Sequence, residues 1–318
     1  MPAIVTLTFN PCIDKSVQVP KLIPEKKMHC PACRQDPGGG GINVARGITR
    51  LGGDALAIFP SGGYHGQLLV EMLEREQVPI VPVAAKSDTR ENWMVVENSS
   101  NRQFRFVMPG YALAEAEWTA CLEELDRVED VQFIVISGSM PPDFPQDIFE
   151  RIYRIARKKD AKIVVDTSGE ALKLSLKEDV YIVKPNLSEL ASIIVGFNLT
   201  YESVAASARE IIKRNYAQLV VVSMGEGGAI VVDRKTNITI KSPQVTKLGT
   251  VGAGDSLIAG MLYSLSNNKS IEEAAAFGVA CGAASTMNRA TELFHREDAE
   301  ALYATMHKEF QDLLEKSL

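Results

Sequence analysis

Between Phe133 and Val165 the chain reads FIVISGSMPPDFPQDIFERIYRIARKKDAKIVV. Phe133 to Ser137 is a compact apolar run rich in β-branched residues, and Gly138 bounds it. Ile148 to Lys158 then spaces its apolar side chains for a helix, and Lys162 to Val165 returns to a short β-branched run. Runs of this kind are strands of buried parallel sheets, and a helix between two of them carries the chain back across one face.

Outward from this stretch the alternation recurs. Ile4 to Thr8, Tyr181 to Val183 and Leu219 to Val222 read as further buried strands, and Val204 to Arg214 as a further helix. Repeated strand-then-helix order predicts an α/β fold, a parallel core sheet with helices on both faces. Two segments have another texture. From Ser16 to Asp36 and from Asn92 to Val107, alternation and polar content predict strands wetted on one side, a small sheet lying over one edge of the core as a lid. The tail from Arg296 to Leu318 carries Leu302, Met306, Phe310 and Leu313 on one helical face, a pattern for packing on the core.

A chain of 318 residues, 46% hydrophobic and 23% charged, fits one large α/β domain or a core domain with a small appendage. The formal net charge of -6 offers no basic excess to neutralise a nucleic-acid backbone. A small anionic substrate needs only a local basic pocket. Five cysteines, an odd number, predict reduced thiols in a cytosolic protein rather than a disulfide framework. Cys30 and Cys33 form a C-x-x-C without a second pair at zinc spacing, and read as ordinary thiols in a strand. Met1 to Phe9 has neither a basic start nor a long apolar run, and no later stretch has the length of a membrane span, so a cytoplasmic location is expected.

Thr250-Val251-Gly252-Ala253-Gly254-Asp255-Ser256 runs directly into the apolar residues Leu257, Ile258, Ala259, Met261 and Leu262, so the turn is a helix N-terminus. Without a Cβ at Gly252 and Gly254 the backbone approaches a ligand closely, and the unpaired N–H groups of the first turn point at an anion. That makes a candidate oxyanion hole for a phosphoryl group, with Asp255 placed to take a proton from an attacking hydroxyl. A simpler reading is that Asp255 only caps the helix. A dinucleotide fingerprint fails because Leu257 stands where its third glycine belongs, and no P-loop pattern exists in the chain.

Pro37-Gly38-Gly39-Gly40-Gly41-Ile42-Asn43-Val44-Ala45-Arg46 places a glycine run before a helix with Val44, Ile48 and Leu51 spaced for burial. Close approach of a polyhydroxyl ligand, with Asn43 and Asp14 gripping its hydroxyls, explains the run better than a flexible loop does. Lys184-Pro185-Asn186-Leu187-Ser188-Glu189 follows a strand and opens a helix. Lys184 suits phosphate oxygens, while Asn186 and Glu189 suit either the waters of a magnesium ion or a capping box. Ser223-Met224-Gly225-Glu226-Gly227-Gly228 supplies another glycine turn at the same sheet edge, by itself only a hairpin signal.

Together, and in their order along the chain, Gly38 to Arg46, Lys184 to Glu189, Ser223 to Gly228 and Gly252 to Asp255 resemble the ribokinase-like PfkB carbohydrate kinases over nearly the whole chain. Gly38 to Arg46, Phe104 to Gly110 and Val135 to Ser139 are most similar to the minor bacterial 6-phosphofructokinase type of that family. Kinases of fructose 1-phosphate and tagatose 6-phosphate resemble the chain over the same span, and Asn10-Pro11-Cys12-Ile13-Asp14 suits them as well. The resemblance implies one kinase domain over residues 1–318, a Rossmann-like core with lid segments at about 16–36 and 92–107, and dimerisation through the lid. It implies ATP and magnesium as cosubstrates, and phosphorylation of a ketohexose phosphate, fructose 6-phosphate first. A non-catalytic sugar-phosphate sensor would not need Asp255 and Glu189, and both are present.

By the same resemblance Asp255 is the base and Gly252, Ala253 and Gly254 form the anion hole. Asp14, Gly39, Gly40, Asn43, Arg90 and Ser139 line the sugar phosphate, Lys27 reaches it from the lid, and Arg105 is an extra phosphate contact. Lys184, Asn186, Ser223, Gly225 and Gly228 meet the nucleotide, and Glu189 orients magnesium. Relatives often hold a potassium ion beside the anion hole, which here would use carbonyls near Val251 and the turn around Asn288. His29 replaces a basic lid residue of the close relatives, and Lys247 and Glu292 bring charges toward the adenine and ion positions.

Overall fold

The five residues Phe133–Ser137 form a strand buried along its whole length, with side chains that alternate between two separate apolar layers. Phe133 and Val135 face one layer and Ile134 and Ile136 the other, the two-residue period of a strand covered on both sides. The structure, a computed structural model, describes residues 3–194 and 203–315, with side chains through 306.

The strands, in chain order, are β1 (Ile4–Leu7), β2 (Cys12–Val19), β3 (Cys33–Gly38), β4 (Ala55–Ser61), β5 (Ile80–Ala84), β6 (Arg90–Glu97) and β7 (Arg102–Phe106). They continue as β8 (Phe133–Ser137), β9 (Lys162–Asp166), β10 (Val180–Val183), β11 (Ala217–Ser223), β12 (Ala229–Val232) and β13 (Asn237–Ile240). The helices are α1 (Gly40–Arg50), α2 (Gly63–Arg75), α3 (Glu115–Arg127), α4 (Ile148–Lys158) and α5 (Gly169–Ser175). After them come α6 (Leu187–Ile193), α7 (Val204–Lys213), α8 (Ala253–Ser266), α9 (Ile271–Thr286) and α10 (Arg296–Glu315).

Among the described residues a nine-stranded sheet runs β13-β12-β11-β10-β9-β8-β1-β4-β5. It is parallel from β5 through β11, as the βαβ reading of the sequence predicts. The wholly parallel expectation needs correction at one edge, where β12 and β13 return antiparallel. The Ser223–Gly228 glycine turn reverses the chain too tightly for a crossover helix, so it makes a hairpin. One face packs on Ile42 and Ile48 of α1 and Ile258 and Leu262 of α8; the other packs on Trp118 of α3 and Ile148 and Ile152 of α4.

The second sheet, ordered β3-β2-β6-β7, is the expected lid, with exposed residues along β7 and the first half of β3. Its strands begin earlier than read, at Cys12 and Arg90 rather than Ser16 and Asn92. Cys12 and Ile13 are buried apolar residues, which made the start of β2 look like core. Cys33 opens β3, but Cys30 lies in the exposed connection before it, so only one of the two thiols is in a strand. In α10, Leu302 and Met306 pack on the core as expected, whereas Phe310 and Leu313 lie outside the described side chains.

Candidate active site

Parallel strands leave their ligands at the carboxyl edge of the sheet, where loops and helix N-termini converge. Asn10 follows β1, Ser139 follows β8, Asp166 ends β9, Lys184 follows β10 and Ser223 ends β11, all on that edge. Into the same edge points α8. Its N-cap is Gly252, at φ 76, and no side chain caps it. The left-handed backbone explains the glycine, and the missing cap leaves the first-turn amides open to a ligand.

Asp255 therefore does not cap its own helix. Its Oδ2 accepts a hydrogen bond from Asn43 Nδ2 of α1 at 3.0 Å. Burial, reinforced by the neighbouring Asp166 carboxylate, pushes its pKa up to about 7, against the Asn43 hydrogen bond and Lys184, which lower it; Asp14 adds to the rise. Lys184, buried, sits 2.9 Å from Asp166 Oδ1. Burial works against its charge, yet Asp166, then Asp255 and Glu189, hold its pKa above the ordinary value. A methyl group built on Gly254 would lie 3.1 Å from Lys184 Nζ, so the ammonium borders the open amides of α8.

On the lid side, Asp14 Oδ1 accepts from Asn92 Nδ2 at 2.9 Å, while the neighbouring Cys12 thiol donates to the same oxygen. Gly39 begins α1 as its N-cap, and a Cβ on Gly40 would overlap Ser137 and the backbone of Gly138, which accounts for glycine there. Arg90 donates to Asn10 O at 3.0 Å, Met108 O at 2.5 Å and Ser139 Oγ at 3.3 Å, so it knits the loops after β1 and β8 to the lid. Arg105 Nη2 donates to Thr250 Oγ1 at 2.5 Å, in the turn that precedes α8. It lies one strand over from Arg90, on β7, which carries it across the lid. Lys27 is on the exposed connection between β2 and β3 and makes no described hydrogen bond or ion pair.

Asn186 and Glu189 form the reciprocal capping box of α6: Asn186 Oδ1 accepts from Glu189 N at 2.9 Å and Glu189 Oε2 from Asn186 N at 2.8 Å. The cap occupies one oxygen of Glu189 and leaves the other, and burial raises this carboxyl's pKa. Asn186 pairs with Ser223 in a lone bridge, which joins this motif to the glycine turn. Beside them a cavity of about 350 Å³ is lined by Ser223, Gly225 and Gly228, by Ala253 and Gly254 of α8, and by Ala283 of α9. Lys247, at its mouth, is ion-paired with Glu226. Glu292 pairs with Arg34 at 2.6 Å and His295 at 3.2 Å. Val251 O accepts from Ser285 Oγ at 3.5 Å, and the Asn288 carbonyl lies against Gly249, so the loops before α8 and after α9 meet.

Several participants carried no signal of their own in the sequence. Asp166 reads as a strand end, Glu76 as a helix end and Asn92 as a lid residue. Val279, Gly282 and Ala283, the α9 wall of the cavity, read as helix packing. Arg46 was visible in the glycine-run motif without a role.

A carboxylate beside an uncapped helix N-terminus, with a lysine next to it and a cavity beside them, is an arrangement suited to phosphoryl transfer. The chain belongs to the pfkB family carbohydrate kinases, whose family model matches residues 7–297. It is 41% identical to the ATP-dependent 6-phosphofructokinase isozyme 2 of Escherichia coli over 309 residues, 97% of this chain and 100% of that one. Crystal structures of phosphofructokinase-2 from Escherichia coli superpose on it. The complex with fructose-6-phosphate has a TM-score of 0.90 and 40% identity, covering 96% of this chain and 100% of that one. The complex with potassium has a TM-score of 0.91 and 42% identity, with the same coverage. The 1-phosphofructokinase of Borreliella burgdorferi is 29% identical over 89% of this chain and 92% of its own.

Proposed function

We propose that the protein transfers the γ-phosphoryl group of ATP to the C1 hydroxyl of fructose 6-phosphate, giving fructose 1,6-bisphosphate, in the cytoplasm and within one catalytic domain. The observation that carries this reading is the meeting of Asp255, Lys184 and the uncapped amides of α8 between the lid and the 350 Å³ cavity. The higher identity to a 6-phosphofructokinase than to a 1-phosphofructokinase favours the 6-phosphate as substrate.

In this mechanism Asp255 takes the C1 hydroxyl proton while that oxygen bonds to the γ-phosphorus and the bond to the β–γ bridging oxygen breaks, releasing ADP. The amides of Gly252, Ala253 and Gly254, with Lys184, meet the charge that develops on the equatorial oxygens. Asp14, Gly39, Gly40 and Asn43 hold the sugar; Arg90 and Ser139 hold its 6-phosphate. Lys27 reaches that phosphate from a second copy of the chain, and the exposed Phe106, Val107 and Met108 of the lid support such pairing. Asn186, Ser223, Gly225 and Gly228 bind ATP. Magnesium, which neutralises phosphate charge when bound, fits the free oxygen of Glu189. Potassium, if bound, would be held by carbonyls near Val251 and the turn around Asn288.

An assay of ADP release across fructose 6-phosphate, fructose 1-phosphate and tagatose 6-phosphate tests the substrate, and fructose 6-phosphate should give the highest kcat/KM. Asp255→Asn should lower kcat by roughly 10²–10⁴ with little change in KM, the range for a lost general base. Preference for another ketose phosphate rejects the substrate, and near-normal turnover by the variant rejects the base.

A further inference from the structure

The Asn43 amide is the one described side chain that donates a hydrogen bond to Asp255, and what holds it lies outside the site. Its Oδ1 accepts from Arg46 Nη1 at 3.1 Å. Arg46 follows one helical turn later on α1, is 1% exposed, and donates also to Pro37 O at 2.9 Å. Its other two donors meet Glu76 at the end of α2, with Nε to Oε2 at 2.8 Å and Nη2 to Oε1 at 2.7 Å. That is the bidentate fork that fixes a guanidinium in position and plane.

A guanidinium has donors and no acceptor. Asn43 can therefore present only its oxygen to Arg46, and its NH₂ group is turned toward Asp255. With the amide reversed, two donors would face each other at Arg46, and the oxygen would face a carboxylate. We propose that Arg46, clamped by Glu76, is a positioning residue for the base: it locks the Asn43 amide in the orientation that donates to Asp255.

The lock has a direction. A protonated Asp255 would be best met by the amide oxygen and an ionised Asp255 by the NH₂, so holding the NH₂ forward favours the carboxylate that removes the proton. The charged and titratable groups facing Asp255 from other elements are Asp166 on β9, Lys184 after β10, and Asp14 and Cys12 on β2. Asp166 and Asp14 favour the protonated form, and burial does so more strongly; Lys184 opposes them. Asn43 thus works with Lys184 to favour the ionised base, and Arg46 sets which way the amide faces.

The inference rests on Asp255 as the base, and its test separates the two. The measurement is the pH profile of kcat/KM for fructose 6-phosphate in Arg46→Lys and Glu76→Gln, with Asp255→Asn as control. Arg46→Lys keeps a cation but cannot serve Glu76, Pro37 and Asn43 together; Glu76→Gln loosens the clamp with a smaller disturbance. Each should move the acid limb up by about one pH unit, the scale of one hydrogen bond to a charged group, while the plateau at high pH is retained. In an Asn43→Ala background neither change should shift the limb further, because the effect passes through that amide. A purely structural ion pair would instead lower Tm and leave the limb where it was. An unmoved limb in the folded variants, or an equal shift without Asn43, overturns the proposal. Should Arg46→Lys fail to fold, Glu76→Gln decides alone. Turnover by Asp255→Asn would remove the base itself, a distinct result.

Discussion

The two sides of the cleft are made of different materials. On the sugar side, side chains are pinned by other side chains: Asn92 on Asp14, Arg90 on Ser139, Arg46 on Asn43 and Asn43 on Asp255. On the proposed nucleotide side, around the 350 Å³ cavity, glycines and alanines such as Gly225, Gly228, Ala253, Gly254 and Ala283 make much of the wall, with the Lys247–Glu226 ion pair beside them. Recognition by pinned groups needs particular atoms at particular places, whereas recognition by a smooth cleft needs empty space and exposed amides. The sugar side should thus be most sensitive to removal of atoms and the nucleotide side to their addition.

Lys184 stands at the seam, and removal there should produce the largest effect. Lys184→Met keeps the stem but deletes the charge, which leaves Asp166 and Asp255 facing each other without the cation that lowers the latter's pKa. A lost electrostatic partner of the transferring group should reduce kcat/KM by roughly 10²–10³. The acid limb of the profile should also move to higher pH, because the base then ionises less readily. Steady-state rates from pH 6 to 9 with fructose 6-phosphate check both outcomes. A variant with a normal rate and an unmoved limb would place Lys184 outside the chemistry.

Addition on the other side should act on one substrate only. Ala283 is buried in α9 and lines the cavity, so Ala283→Leu puts side-chain volume into the proposed nucleotide site. The expected result is a KM for ATP raised roughly tenfold, the scale of a modest overpacking cost, with KM for the sugar phosphate and kcat at saturating ATP little changed. Equal damage to both KM values would mean that the two sides are not built independently.

This division also explains what the sequence made legible. The βαβ order, the lid and the glycine turns are local patterns, and each appeared close to its observed place. Pinning partners are not local. Asp166 meets Lys184 across two neighbouring strands, a pairing set by their parallel register, and Glu76 meets Arg46 of α1 from the end of α2, a pairing that only the packed fold creates. The α9 wall was hidden for a related reason, since Val279, Gly282 and Ala283 have the spacing of helix packing and only the fold sets them beside the cavity. The contact of Arg105 on β7 with Thr250 before α8 is likewise non-local, since only the folded lid brings the two together.

The smallest expected effect concerns stability at the seam. Folding raises the Asp255 pKa to about 7, chiefly through burial, whereas the unfolded chain has an ordinary carboxyl near ~3.9. The native state therefore binds a proton that the unfolded state has already lost. Stability from this group is complete below the unfolded pKa and is lost as pH rises through the folded one. Asp255→Asn is neutral at every pH and escapes that loss while keeping an oxygen for Asn43. The variant should thus melt close to wild type near pH 4 and above it by about 2–5 °C at pH 8, with the difference opening between the two pKa values. Thermal scans at a fixed rate across that range measure the difference directly. An offset that does not change with pH would show that Asp255 ionises as easily in the fold as in the free chain.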